Sequence, residues 1–177
     1  MSEAMPEEFA RFKTLFDRLV RYSDQWVDLM GEDKLDWAPI ENASTRFGTR
    51  VARITVRGLL VHTVLAERNW TRQIRLLESG AVIPLPNDPA AAARFENAGL
   101  RATALALHEE NMAMLDTYEP ADLQKTVHFV GRQWTGMGLL WGMYAHRAFH
   151  LGNMDIYLRQ RDVPGPEFFE FDPIMMA

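Results

Sequence analysis

Apolar positions along this chain recur with helical period in four long stretches. Phe9, Phe12, Phe16, Leu19, Ser23, Trp26 and Met30 are spaced by threes and fours, which puts them on one face of a helix running from about Pro6 to Met30. Pro6 suits a first turn, Glu7 and Glu8 sit where the helix dipole is positive, and Gly31 is a natural stop. A second stripe, Leu59, His62, Ala66, Trp70, Ile74 and Leu77, predicts a helix from about Thr55 to Glu78. A third, Leu100, Thr103, Leu107, Asn111, Met114 and Tyr118, predicts one from about Pro89 to Tyr118, with Gly99 weakening its middle. The fourth, Leu139, Met143, His146, His150, Met154 and Tyr157, predicts a helix from about Thr135 to Arg161.

Between these stretches lie residues 32–54 and 80–88, the second containing the proline-marked run VIPLPNDP, which should be extended. In KTVHFVGRQWT, Val127 and Phe129 alternate with polar neighbours just before Gly131, the pattern of a small hairpin. Helices two and four open alike, Thr55-Val-Arg-Gly58-Leu-Leu and Thr135-Gly-Met-Gly138-Leu-Leu, and each threonine can cap its helix. Four amphipathic helices without a parallel-sheet pattern predict an all-α protein, a four-helix bundle with a small hairpin or irregular segment between helices three and four.

With 177 residues the chain has length for one core, expected over residues 1–165. Residues 166–177 include the apolar run EFFEFDPIMMA, expected to cover a groove on the bundle or on a neighbouring subunit. The formal net charge of -5 argues against a nucleic-acid partner. Cysteine is absent, which excludes disulfides, thiolate metal sites and cysteine nucleophiles. No apolar run approaches the roughly 18 residues of a membrane span, and the first residues, MSEAMPEEFARF, lack the pattern of a secretory signal, so a cytoplasmic protein without a membrane partner is expected.

The candidate chemistry lies in histidines. His146 and His150 are four apart on the apolar face of helix four, and His62 occupies the stripe of helix two. Three inward imidazoles from two helices can meet around one divalent ion, but buried packing histidines account for the same spacing equally well. His108, beside Glu109 and Glu110, and His128, opposite the apolar side of the hairpin, are expected to be solvent-exposed. Arg46, Arg50, Arg53 and Arg57 form a basic run read as surface pairing with carboxylates, or as an anchor for an anionic substrate. Trp70, Trp141, Met143 and Tyr157 could line an apolar pocket or simply pack. No E-x-x-H sequence occurs, which argues against a ferritin-like di-iron site.

His62 in GLLVHTVLAERNW, His146 and His150 in MYAHRAFHLGNMDIYLRQ, and the downstream Asp162-Val163-Pro164 resemble the DinB/YfiT-like superfamily of metalloenzymes. The resemblance spans about residues 9–165, and its specific part is the H-x3-H-x-G motif of helix four. It departs at Asn153, where many members carry Gln. The resemblance implies an up-down-down-up bundle with a divalent metal, zinc, nickel or iron, held by His62, His146 and His150. Together with the apolar tail it implies a homodimer, and it implies a small-molecule substrate. Some members of that family are transferases or isomerases dependent on a low-molecular-weight thiol, so thiol-dependent transfer is the expected activity. Metal-dependent hydrolysis and non-catalytic binding of a metal and small ligand are the alternatives.

Overall fold

A computed structural model describes residues 4–38, 54–97 and 99–167. Helix α1 (Glu7–Met30) is followed by a short 3-10 turn (Glu32–Lys34), then α2 (Val56–Leu76), α3 (Pro89–Asn97), α4 (Leu100–Leu115), α5 (Pro120–Gln124), a hairpin of β1 (Thr126–Phe129) and β2 (Arg132–Thr135), and α6 (Gly136–Gln160). The apolar stripe of α1 is buried from Phe9 to Met30, and Gly31, with φ 74°, ends it. Both expected caps form: Thr55 Oγ1 accepts the Gly58 N–H at 2.9 Å and Thr135 Oγ1 accepts the Gly138 N–H at 3.0 Å.

Cross-helix bonds give the direction of each bundle helix. Glu8 to Trp141 (2.8 Å) and Trp26 to Asp155 (3.0 Å) run in the same sense along α1 and α6, so these helices are parallel. Lys13 to Asp116 (2.7 Å) and Asp24 to Arg101 (2.6 Å) run oppositely, so α1 and α4 are antiparallel. Glu67 to Arg147 and Thr71 to Met143 make α2 antiparallel to α6. The topology is therefore up-down-down-up, with α1, α6, α2 and α4 in order around the bundle. Parallel neighbours α2 and α4 require a return path, supplied by the proline-marked extended run and α3.

The third predicted helix is two helices. It breaks at Gly99, whose ψ of 136° is extended, and α4 begins at the next residue. Glycine has the least to lose from leaving helical geometry, and Thr103 Oγ1 donates to the Arg94 carbonyl at 3.2 Å across the break. The helix also stops at Leu115 rather than Tyr118, ahead of Pro120 and the short α5.

The hairpin pairs Thr126 with Thr135 and Phe129 with Arg132. Its two-residue turn puts both Val130 (φ 45°) and Gly131 (φ 73°) in the left-handed region, as the twist of a tight hairpin demands. Residue 82 bridges in parallel to His128, so the run after α2 lies alongside β1. At Gly136 a Cβ would meet the Asp122 carbonyl oxygen at 2.0 Å, so α6 can begin against α5 only with glycine there.

The apolar core falls into two halves. One gathers Phe9, Phe12, Phe16, Ile74, Leu140 and Met143 beside the hairpin. The other gathers Trp26, Met30, Leu59, Leu107, Met154 and Leu158 at the opposite end. Buried Ser23, Glu67, His108, Asn111, Arg147 and His150 occupy the levels between them. Among the described residues no helix is long and apolar enough to cross a membrane.

Candidate metal centre

Helix geometry places His146 and His150 one above the other on α6, and the antiparallel packing of α2 brings His62 to face them. His146 Nε2 lies 3.2 Å from His62 Nε2 and 3.1 Å from His150 Nε2. Among the described residues these three form the only group of His, Asp or Glu side chains with ligand atoms gathered closely enough for one ion, all within 4.8 Å of each other. Ligand nitrogens held about 2.1 Å from a zinc-sized ion stand roughly 3.0 Å apart at right angles and about 3.4 Å apart at tetrahedral angles. The two separations from His146 fall in that range and the third stays within 4.8 Å, so the residues present fit a divalent ion.

The electrostatics favour neutral rings. Burial, followed by the neighbouring His150, His62 and Arg147, pushes His146 down to about 3. Burial, with His62 and Arg147, pushes His150 down to about 4. Burial also lowers His62, while the charge of Glu67 pulls it the other way. Neutral imidazole is the ligating form, so an ion entering near neutral pH displaces few protons. Aromatic rings border the cluster: Trp70 meets His146 edge-on at 4.9 Å, Phe149 meets His150 at 5.2 Å, and Phe129 of the hairpin backs Trp70 at 5.4 Å.

The other candidates separate. Met143 is fully buried one turn before His146, its sulfur accepting from Thr71 Oγ1 at 3.7 Å. Trp141 packs away from the cluster, edge-on to Phe12, with its Nε1 donating to Glu8 at 2.8 Å. Tyr157 donates to the Ile54 carbonyl and stacks edge-on with Trp37. Arg57 pairs with Asp36 at 2.9 Å, and Arg46, Arg50 and Arg53 lie outside the described residues.

His108 is a correction: it is 1% exposed, not a surface histidine. Helix α4 packs against both α1 and α2, so its buried face is wider than one stripe and takes in position 108. The ring Nε2 meets Asp17 Oδ1 at 2.9 Å, and Phe16 lies edge-on against it. His128 is half-buried in β1, opposite Gln133.

Sequence reasoning missed a buried ion pair beside the triad. Arg147 grips Glu67 with Nε to Oε1 and Nη2 to Oε2, both 2.6 Å, and its Nη1 donates to Ser23 Oγ at 2.8 Å. The available signals were that Arg147 is the only charged residue between Gly136 and Met154, and that Glu67 falls in phase with the buried positions Thr63, Trp70 and Ile74.

The up-down-down-up four-helix bundle with its three converging histidines defines the class of fold to which the chain belongs. The family model described as the DinB superfamily matches residues 15–154, so the chain belongs to that superfamily. No curated protein matches the sequence significantly. Among solved structures, the chain resembles the DinB-like protein YjoA from Bacillus subtilis, with TM-score 0.65, 19% identity, and coverage of 89% of this chain and 96% of YjoA. It also resembles YfiT from Bacillus subtilis, described as a probable metal-dependent hydrolase with an unusual four-helix bundle topology, with TM-score 0.58, 18% identity, and coverage of 89% and 92%. At these identities the likeness to both structures is one of fold.

Proposed function

We propose that this chain is a metal-dependent enzyme whose divalent ion, zinc, nickel or iron, is held by His62, His146 and His150. The observation that carries the reading is the convergence of three ring nitrogens, 3.1 and 3.2 Å apart, on the seam between α2 and α6. When bound, a divalent ion there supplies Lewis acidity with coordination positions left for an exogenous ligand. Three neutral imidazoles leave the ion's double positive charge uncancelled, which suits an anionic ligand such as a thiolate.

Thiol-dependent transfer or isomerisation is the activity we favour over hydrolysis. Both oxygens of Glu67, the buried carboxylate nearest in sequence to His62, are held by Arg147, so it is not placed to act as a general base. A thiol requires less help from a base than water does, because its own acidity is far greater. The description of YfiT supports hydrolysis as the second reading. Metal analysis of untagged protein, followed by cobalt substitution, tests both. Millimolar thiol should change the cobalt absorption as sulfur replaces oxygen. A spectrum untouched by thiols, with turnover of an ester or amide, would select hydrolysis; metal binding without either would select a binding protein.

We also infer that two copies pair through the outward face of α6. That face is uncharged from Gly136 to Met154, because Arg147 points inward, and it exposes Phe149 (66%) beside the small residues Ala145, Ala148 and Gly152; Ile156 (53%) extends its apolar surface one turn further, next to the Asp155–Arg159 pair. Chains of net charge -5 repel, so their closest approach is favoured at a face without charge. Light scattering of the full chain tests this.

A further inference from the structure

We propose that the buried Glu67–Arg147 pair is a positioning device for the histidine cluster, fixing the register of α2 against α6 and keeping the Glu67 carboxylate out of the ligand set. This rests on the metal reading above. Arg147 immediately follows His146, and Glu67 lies five residues, about 7.5 Å of helix rise, beyond His62. The pair and the three imidazoles therefore occupy adjacent levels of one seam. The side chains are 3% and 1% exposed, and the contact is bidentate at 2.6 Å on both arms. A planar fork of this kind fixes separation and rotation together, whereas the apolar contacts around it permit small slides. The third arm, to Ser23 at 2.8 Å, ties α1 to the same level, so three of the four bundle helices are referenced to the residue next to His146.

Stability alone gives little reason for such a pair, since well-packed apolar residues in place of a buried ion pair are often as stable or more so. Geometry gives a better one. Metal ligands supplied by two different helices need placement to within about 0.5 Å, and the His62 to His146 separation depends directly on how α2 sits on α6. The grip on both Glu67 oxygens has a second consequence. It withholds a buried negative charge that acts on His62 from joining the imidazoles, so the donor set stays neutral.

The test uses the full chain stripped of metal and titrated with cobalt against a chelator, with thermal melts alongside. The double variant Glu67→Leu/Arg147→Met should keep its helicity and its melting temperature within about 5 °C of wild type. Its cobalt affinity should fall by about 10- to 100-fold with an altered absorption spectrum, the scale seen when residues supporting metal ligands are removed. Arg147→Lys keeps the charge without the fork and should weaken cobalt binding about 10-fold; it carries the test if the double variant does not fold. Cobalt affinity within twofold of wild type in these variants, with an unchanged spectrum, would overturn the positioning role and leave a structural pair. Wild-type protein that takes up no cobalt would instead overturn the metal reading, and this role with it.

Discussion

The bundle buries histidines on two seams, and they are treated differently. On the seam of α1 and α4, His108 is sealed from solvent but faces a carboxylate, Asp17, at 2.9 Å. On the seam of α2 and α6, three imidazoles turn their Nε2 atoms toward each other at 3.1 and 3.2 Å. Burial lowers the proton affinity of the rings on both seams, but at His108 the Asp17 hydrogen bond opposes it, while His146 experiences further lowering from its own neighbours. The lesson is that burial alone does not mark a metal ligand. A lone buried imidazole with an acidic partner is an internal structural group, whereas several nitrogens directed at one point share a need that a cation meets.

The comparison is broken most sharply by removing a ligand. His146→Ala should lower metal affinity more than about 100-fold, beyond the loss expected for supporting residues, while circular dichroism still reports a folded bundle. The matching change on the other seam, His108→Leu, should leave metal affinity within twofold. It should cost about 1–2 kcal/mol in urea unfolding, because a hydrogen bond to a charged group is lost while Asp17 keeps Arg21. If His108→Leu lowers metal affinity as far as His146→Ala does, the distinction between the seams is wrong.

Acid sharpens the contrast in metal-free protein. The folded values of about 3 for His146 and about 4 for His150 lie below the ordinary 6.5 of an exposed ring. The unfolded chain therefore takes up protons below about pH 6.5 that the folded chain refuses. Stability from these rings is complete above that pH and declines as pH falls toward 4 and 3. The urea midpoint should accordingly drop between pH 6.5 and 4, and His146→Leu should flatten the drop. Equal slopes in the two proteins would contradict the assigned environment.

Smaller effects come from the periphery. Ile156→Glu should shift the mass in light scattering from dimer to monomer, with metal content unchanged; a dimer that survives the substitution would move the interface elsewhere. Thr135→Ala, which removes the cap of the helix carrying two of the three histidines, should cost about 1 kcal/mol, or about 2–4 °C in melting temperature. Metal affinity should remain as in wild type, since the cap lies three turns from His146.

The four stripes, both threonine caps, the hairpin and the His146–His150 pair were legible in the chain itself. Each depends on the repeat of a single element, and 3.6 residues per turn is a property of the local backbone. The break at Gly99 was half-legible, as a weak point in a continuous helix. His62 could be placed on an inward face by its own stripe, but not opposite His146, because which face meets which is settled by the packing of α2 on α6. The same holds for Glu67 and Arg147: 80 positions separate them, and only the antiparallel seam makes them a pair. His108 was misjudged for the related reason that α4 packs against two helices at once, and a stripe drawn for one neighbour undercounts what is buried. Periodicity shows which side of a helix is hidden from water. What that side touches is a cooperative outcome of all four helices, and the chemistry of this protein resides in those contacts.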